Sequence, residues 1–276
     1  MNSDPTTALP QIDPVTLEIL GHQFRATAEE MAIALSRTAR TTYVREAADF
    51  GTALATPAGK FFGYPAALGV SGFLDLDAGV ALAAAGPYTE GDVVITNHPY
   101  DSGGLSSHMP DLQLLRPYFH DGQIVACGWA FVHTADIGGM VPSSIAPDLD
   151  ELFQEGLIIP PIKLVEAGRL NDDFVSLYSA NCRMPEANLG DIQAMLTALE
   201  TGASRVADLI TRHGLEIFKA AQLALVDYAK SKSLNVRRQI PNGKYVFWDY
   251  LDDDYVSSIP IRVRCEMTVE NGAIHL

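Results

Sequence analysis

Three histidines and two aspartates stand where chemistry is feasible. His108 precedes Asp111 by three residues, and His133 ends a long apolar run, QIVACGWAFVH. Of the seven histidines, His22 and His213 fall in helical patterns and suit surface or capping roles, and His120 falls in a turn. His98, His108 and His133 sit at loop and strand ends. LQLLRPYF, His120-Asp121-Gly122 and QIVACGWAFVH read as a β-hairpin, with Gly122 free to take positive φ. With a three-residue loop, Phe119 pairs with Gln123, Asp111 with Phe131 and Met109 with His133. Asp111 and His133 are then diagonal neighbours on one face, within reach of one ion. A two-residue loop would send Asp111 to the opposite face. His108 sits at the loop entrance, where the backbone is free to turn it inward. Two imidazoles and a carboxylate make a first shell for Mn²⁺, Zn²⁺ or Fe²⁺. The same residues also serve as hydrogen-bonded polar groups without metal, and H-x-x-D spacing alone does not choose.

Asp136, in HTADIGG, has two readings. One is an Asx-turn or cap before Gly138-Gly139. The other is a carboxylate that orients His133 or adds a ligand. Asp49 is a further carboxylate, but its spacing gives no reason to select it. Gly103-Gly104 has the look of an anion-cradling loop, yet no GK[ST] follows, so it is no nucleotide P-loop. The chain has no G-x-S-x-G elbow, HExxH or dinucleotide fingerprint.

These residues need a scaffold. Asp13-Pro14 caps an amphipathic helix predicted from Val15 to about Thr42, with apolar positions at Leu17, Leu20, Phe24, Ala28, Met31 and Leu35. Residues 43–65 read as two strands joined by Pro57-Ala58-Gly59, residues 72–86 as an Ala-rich helix, and GDVVITN (91–97) as a strand. Residues 134–185 are predicted to be loop-rich. From Glu186 to about Ser233 the pattern is helical, divided or bent at Gly214. After Pro241 strands return, ending in a hairpin turned by Asn271-Gly272. The expected fold class is α+β: mixed β-structure with hairpins packed on long helices. Expected divisions are a polar mobile lead over 1–12, a site-bearing domain over 13–240, and the start of a β-rich domain over 241–276. The last hairpin stops almost as its return strand begins, so an incomplete fold with exposed strand edges is expected.

Composition narrows the classes. The 276 residues are 47% hydrophobic, with 34 acids against 19 bases and a formal net charge of -15. Such a surface repels phosphate backbones, which argues against nucleic acid, and its simplest role is solubility. Cys127, Cys182 and Cys265 form no CxxC pair, which argues against a disulfide framework and for a reducing compartment. With neither a signal-peptide pattern nor a long apolar span, the expected location is cytoplasmic.

The ordered motifs carry a resemblance. DPVTLEI (13–19), REAADF (45–50), GDVVITN (91–97), SHMPD (107–111), HTADIGG (133–139), QEGLIIPP (154–161), NCRMP (181–185), Gly190-Asp191, IPNGKY (240–245) and DYLDD (249–253) occur in sequence. Together they resemble the hydantoinase B/oxoprolinase family over nearly the whole chain. That family includes the B component of ATP-dependent N-methylhydantoinase, the C-terminal part of 5-oxoprolinase and the alpha component of acetone carboxylase. The resemblance implies that His108, Asp111 and His133 are ligands of Mn²⁺ or Zn²⁺, adds Asp49 as a fourth, and places Asp136 nearby. It implies a kinase-like hydantoinase A-type partner that uses ATP to activate the substrate, ATP that this chain does not itself bind, and a hetero-oligomer. Ring hydrolysis of a cyclic amide is the leading expectation, with His133 and Asp136 as catalytic residues. Ketone carboxylation and a truncated, non-catalytic component are the alternatives. The chain departs from the family at His98, where Asn-Asp-Pro-Tyr is common, and at Thr134, where many members have a second histidine. Members also run well beyond Leu276.

Overall fold

The computed structural model describes residues 9–66, 69, 77–254 and 257–276. Residues 1–8 of the expected lead and 72–76 of the expected Ala-rich helix lie outside these. In chain order the elements are α1 (Pro14–Thr38), α2 (Thr42–Arg45), β1 (Phe50–Ala55), β2 (Phe61–Gly63), α3 (Gly79–Ala85), β3 (Val93–Thr96), β4 (Asp111–His120) and β5 (Gln123–His133). Then follow α4 (Leu152–Glu155), β6 (Ile162–Glu166), β7 (Arg169–Leu170), α5 (Asp172–Asn181), α6 (Pro185–His213), α7 (Leu215–Arg237), β8 (Gly243–Leu251), β9 (Ile261–Glu270) and β10 (Ala273–His275). No helix among the described residues is long and apolar enough to cross a membrane.

The first helix begins as its sequence dictates. Asp13 Oδ1 accepts from the N–H groups of Val15 and Thr16, each at 3.0 Å, and Pro14 occupies a position whose N–H is not needed. It ends at Thr38, earlier than expected, because Ala39 turns to extended backbone; α2 resumes four residues later. Residues 134–185 hold more structure than expected, namely α4, β6, β7 and α5. The signal for α5 is local: Asn171 accepts from Phe174 N at 2.9 Å, and Asp172 and Asp173 sit in its positive first turn.

Seven strands form an antiparallel sheet in the order β2-β1-β5-β4-β3-β6-β7. Alternation sorts their side chains into two cores. Leu112, Leu114, Ala130 and Val132 meet Met31 and Leu35 of α1 and Met195 and Leu199 of α6. Ala53, Leu115, Cys127, Trp129 and Phe131 face the other way, against Ala81 and Leu82 of α3. Each large apolar side chain so buried contributes roughly 1.5–3 kcal/mol. A second, three-stranded sheet runs β10-β9-β8. Its last turn is the expected one, Asn271-Gly272 with φ of 52° and 84°. One of its faces pairs Tyr245 with Met267, Phe247 with Cys265 and Leu251 with Ile261, and Phe247 is 69% exposed.

The central hairpin differs from expectation in its turn. His120 pairs with Gln123, leaving a two-residue Asp121-Gly122 loop with φ of 49° and 75°. Alone, this loop would put Asp111 and His133 on opposite faces. The register then shifts: Phe119 pairs with Ile124 but Tyr118 with Ala126, so Val125 is the extra residue of a β-bulge. The bulge restores the parity and sets Asp111 directly opposite His133. Gln222 of α7 donates to the Val125 carbonyl at 2.9 Å, satisfying a group that the bulge removes from the ladder.

Asp92, which precedes β3, ties this sheet to the β6–β7 turn. It is fully buried and accepts from Ala167 N at 2.7 Å, Thr89 N at 2.9 Å, Thr89 Oγ1 at 3.0 Å and Lys163 Nζ at 2.8 Å. Burial pushes its carboxyl up, but these donors outweigh that and hold it at about 2, below the ordinary 3.8. A carboxyl depressed by folding adds stability above its unfolded pKa, and that stability is lost as pH falls through the folded one. The difference is worth about 2 kcal/mol. Asp92→Asn is therefore expected to lose about that much stability at pH 7. Urea titrations between about pH 4 and pH 2 should show wild type falling towards the variant. Parallel curves for the two proteins would contradict this.

Candidate metal centre

The site forms where β4 begins and β5 ends, on the sheet face opposite the long helices. His133 shares the parity of Trp129 and Phe131, and Asp111 that of Leu115. His108 folds back over this end: its Nε2 lies 3.0 Å from Asp111 Oδ1. His133 Nδ1 lies 3.6 Å from the same oxygen, and the two imidazole rings are 5.0 Å apart. One ligand atom from each of His108, Asp111 and His133 falls within 4.8 Å of the others. Asp49 reaches the edge of this group, with Oδ2 3.8 Å from His133 Nδ1.

The surroundings hold the three residues in place. Ser107 Oγ donates to Asp111 Oδ2 at 3.0 Å, and Ser106 Oγ to the Asp111 carbonyl at 3.0 Å. Glu155 Oε2 accepts from Met109 N at 2.8 Å. Asn97 is fully buried and joins three segments, donating to the Met109 and Leu157 carbonyls and accepting from Ile159 N. Burial pushes the Asp111 carboxyl up, but the His108 and His133 imidazoles and the Ser107 hydroxyl outweigh it and hold it at about 2. The bond to Asp111 in turn raises His108 above the ordinary imidazole range, against the effect of its own burial.

This donor set fits a divalent cation. Two imidazoles and an ionised carboxylate are borderline ligands suited to Zn²⁺ or Mn²⁺. His133 is buried, and its Nε2 meets no hydrogen-bond partner among the described residues. Its other ring nitrogen, Nδ1, is the one turned towards Asp111 and Asp49.

Residues 13–276 match the family model described as hydantoinase B/oxoprolinase. The chain belongs to that family. It is 30% identical over 272 residues to an uncharacterized protein of Methanocaldococcus jannaschii, covering 95% of this chain and 46% of that one. It is 31% identical over 259 residues to the 5-oxoprolinase of Dictyostelium discoideum, covering 90% of this chain and 20% of that one. The crystal structure of ATP-dependent caprolactamase from Pseudomonas jessenii matches with a TM-score of 0.81 at 26% identity, over 96% of this chain and 46% of that chain. Nucleotide-free acetone carboxylase shares the fold, with a TM-score of 0.82 at 17% identity over 95% and 36% of the two chains. The α+β architecture is thus that of the hydantoinase B/oxoprolinase family, and the chain spans less than half the length of each of these relatives.

Other candidates of this family member lie outside the triad. Asp136 gives its carboxylate to Arg183 rather than to His133: Oδ1 accepts from Nη1 at 2.7 Å and Oδ2 from Arg183 N at 2.6 Å. The same guanidinium donates to the carbonyls of Gly138 and Gly139. Asp136 and Arg183 thereby clamp the loop after His133 to the α5–α6 junction. That loop lines a cleft of about 370 Å³ with Phe153, Gly156 and Leu157, which the triad itself does not line. Ser107, Asn97, Glu155 and Tyr43 do not stand out in the sequence. Ser107 carries a usable local sign, since a hydroxyl next to His108 and four residues before Asp111 is suited to a carboxylate. Glu155 and Asn97 act across the fold and carry no such sign.

Proposed function

We propose that this chain supplies the metal centre of an ATP-dependent hydrolase acting on cyclic amides. The observation that carries this reading is the convergence of His108, ionised Asp111 and His133 on one sheet end of a hydantoinase B/oxoprolinase family member. Relatives named as a 5-oxoprolinase, as the B component of a D-/L-hydantoinase and as the beta component of caprolactamase support the substrate class and a multicomponent assembly.

His108, Asp111 and His133 would hold Zn²⁺ or Mn²⁺, with Asp49 as a fourth group, the second carboxylate, at the rim. When bound, the ion supplies Lewis acidity and lowers the pKa of a coordinated water. The chain's own residues do the rest. Ser107 keeps Asp111 turned towards the two imidazoles. Tyr43 packs on the His133 ring, centroids 4.7 Å apart, and limits its rotation. Asp136, through Arg183, fixes the cleft-lining loop and so positions rather than ligates. ATP is used by a hydantoinase A-type partner to activate the ring carbonyl, and this chain completes ring opening within a cytoplasmic complex.

The test is ATP-dependent opening of lactam and hydantoin rings by the chain together with an A-type partner. In the complex His133→Ala is expected to lower kcat by at least about 100-fold. Unchanged turnover would sink the hydrolase reading. The shared fold of acetone carboxylase gives carboxylation a specific place in the same assay: ATP turnover that requires bicarbonate and a ketone would replace hydrolysis.

A further inference from the structure

Asp191 is fully buried near the start of α6, and no ion pair with it occurs among the described residues. A carboxylate removed from water and from cations is costly unless donors surround it. Here they come from one short segment. Asp191 Oδ1 accepts from Arg40 N at 2.5 Å and Thr41 N at 3.2 Å, and Oδ2 accepts from Thr41 Oγ1 at 2.5 Å. The neighbouring Gly190 gives the Arg40 side chain room, since an added Cβ would collide with Arg40 Cγ.

This segment leads straight to the candidate centre. Thr41 is the N-cap residue of α2, yet its hydroxyl goes to Asp191 and makes no cap of its own. Asp191 thus holds the start of α2 from outside. Two residues on, the Tyr43 ring rests on His133. The Tyr43 carbonyl accepts from Asp49 N at 2.9 Å, and the Asp49 carbonyl accepts from His133 N at 3.0 Å. Ala48, at φ 56°, makes the left-handed bend that returns the chain to this position. An unbroken series of contacts therefore joins α6 to the His133 backbone and ring.

We propose that Asp191 is a positioning residue for the metal centre, acting through α2 to seat Tyr43 and Asp49 against His133. The inference rests on the metal-centre reading for its functional meaning, while the positioning itself is measurable in the metal-free chain. The experiment compares wild type, Asp191→Ala, Asp191→Asn and Tyr43→Leu by NMR of ¹³C,¹⁵N-histidine-labelled full chain, then by Co²⁺ titration. Asp92→Asn serves as a remote control that also weakens the fold. Loss of the Tyr43 ring current should move the His133 ring resonances in Tyr43→Leu. Asp191→Ala should move them the same way and weaken Co²⁺ binding about 10-fold or more. Asp191→Asn, which keeps an acceptor, should restore most of both, and Asp92→Asn should change neither. Wild-type His133 resonances in folded Asp191→Ala would overturn the proposal. If Asp191→Ala does not fold, Thr41→Val removes only the hydroxyl donor, and its His133 resonances decide in the same manner. Absence of Co²⁺ binding by wild type would refute the metal reading, while the metal-free resonances would still decide the positioning.

Discussion

Elemental analysis of the purified chain should return about one Zn or Mn per molecule, and His108→Ala/His133→Ala should return none. The magnitude follows from the geometry. The three donors lie within 4.8 Å of one another, close enough for one ion to reach all three. Asp111 stays ionised through the physiological range, so its charge is always available. Removing even groups that only orient ligands costs about 10–100-fold in affinity, and removing two ligands should exceed that. Asp111→Asn is informative beside the double variant, because it keeps the shape and the Ser107 contact but deletes the charge. Retained secondary structure with lost metal in both variants would tie binding to these side chains. A folded wild type without metal, even after incubation with excess Zn²⁺ and Mn²⁺, would contradict the centre and favour the non-catalytic reading.

The three candidate ligands are legible in the sequence because their signals are local. His108 and Asp111 share one turn before a strand, and His133 closes the apolar run that follows. The pairing of Asp111 with His133 is not legible in detail. It depends on a two-residue turn and a bulge at Val125, and the partner of that bulge, Gln222, lies far along the chain on α7. Two departures in register, one in the turn and one in the strand, leave the parity unchanged, so the expected shared face survives an incorrect turn. Asp136 shows the opposite case. Its nearness in sequence to His133 suggests a partnership, but Arg183 competes for both oxygens from an element that spacing alone does not bring close. Asp191 is hidden for the same reason. A carboxylate in an amphipathic helix reads as solvated until α2 is seen to cover it.

Gly128→Ala should be among the most damaging single substitutions, although it adds one methyl group. Gly128 lies in the middle of β5, and a Cβ there would collide with the Tyr118 hydroxyl and lie 2.5 Å from its Cζ and 3.0 Å from Leu199 Cδ2. Tyr118 is buried, and its hydroxyl donates to the Leu199 carbonyl of α6 at 2.8 Å. Gly202 of α6 faces the same hydroxyl from the other side. The phenol thus passes between a strand glycine and a helix glycine to join sheet and helix. An alanine must displace the ring, which is overpacking at roughly 1–3 kcal/mol, and must break a buried hydrogen bond at roughly a further 1–3 kcal/mol. A loss of about 4 kcal/mol is a large share of the roughly 5–15 kcal/mol that holds a typical domain. The measurement is urea unfolding of Gly128→Ala, Tyr118→Leu and the pair. With the phenol gone, alanine should cost less than about 1 kcal/mol, which a double-mutant cycle reads directly. Equal cost in both backgrounds would mean that Gly128 serves the strand and not the slot. Because β5 delivers His133 further along the same strand, the folded fraction of Gly128→Ala should still bind metal. Its metal content should then track its folded population as urea is raised.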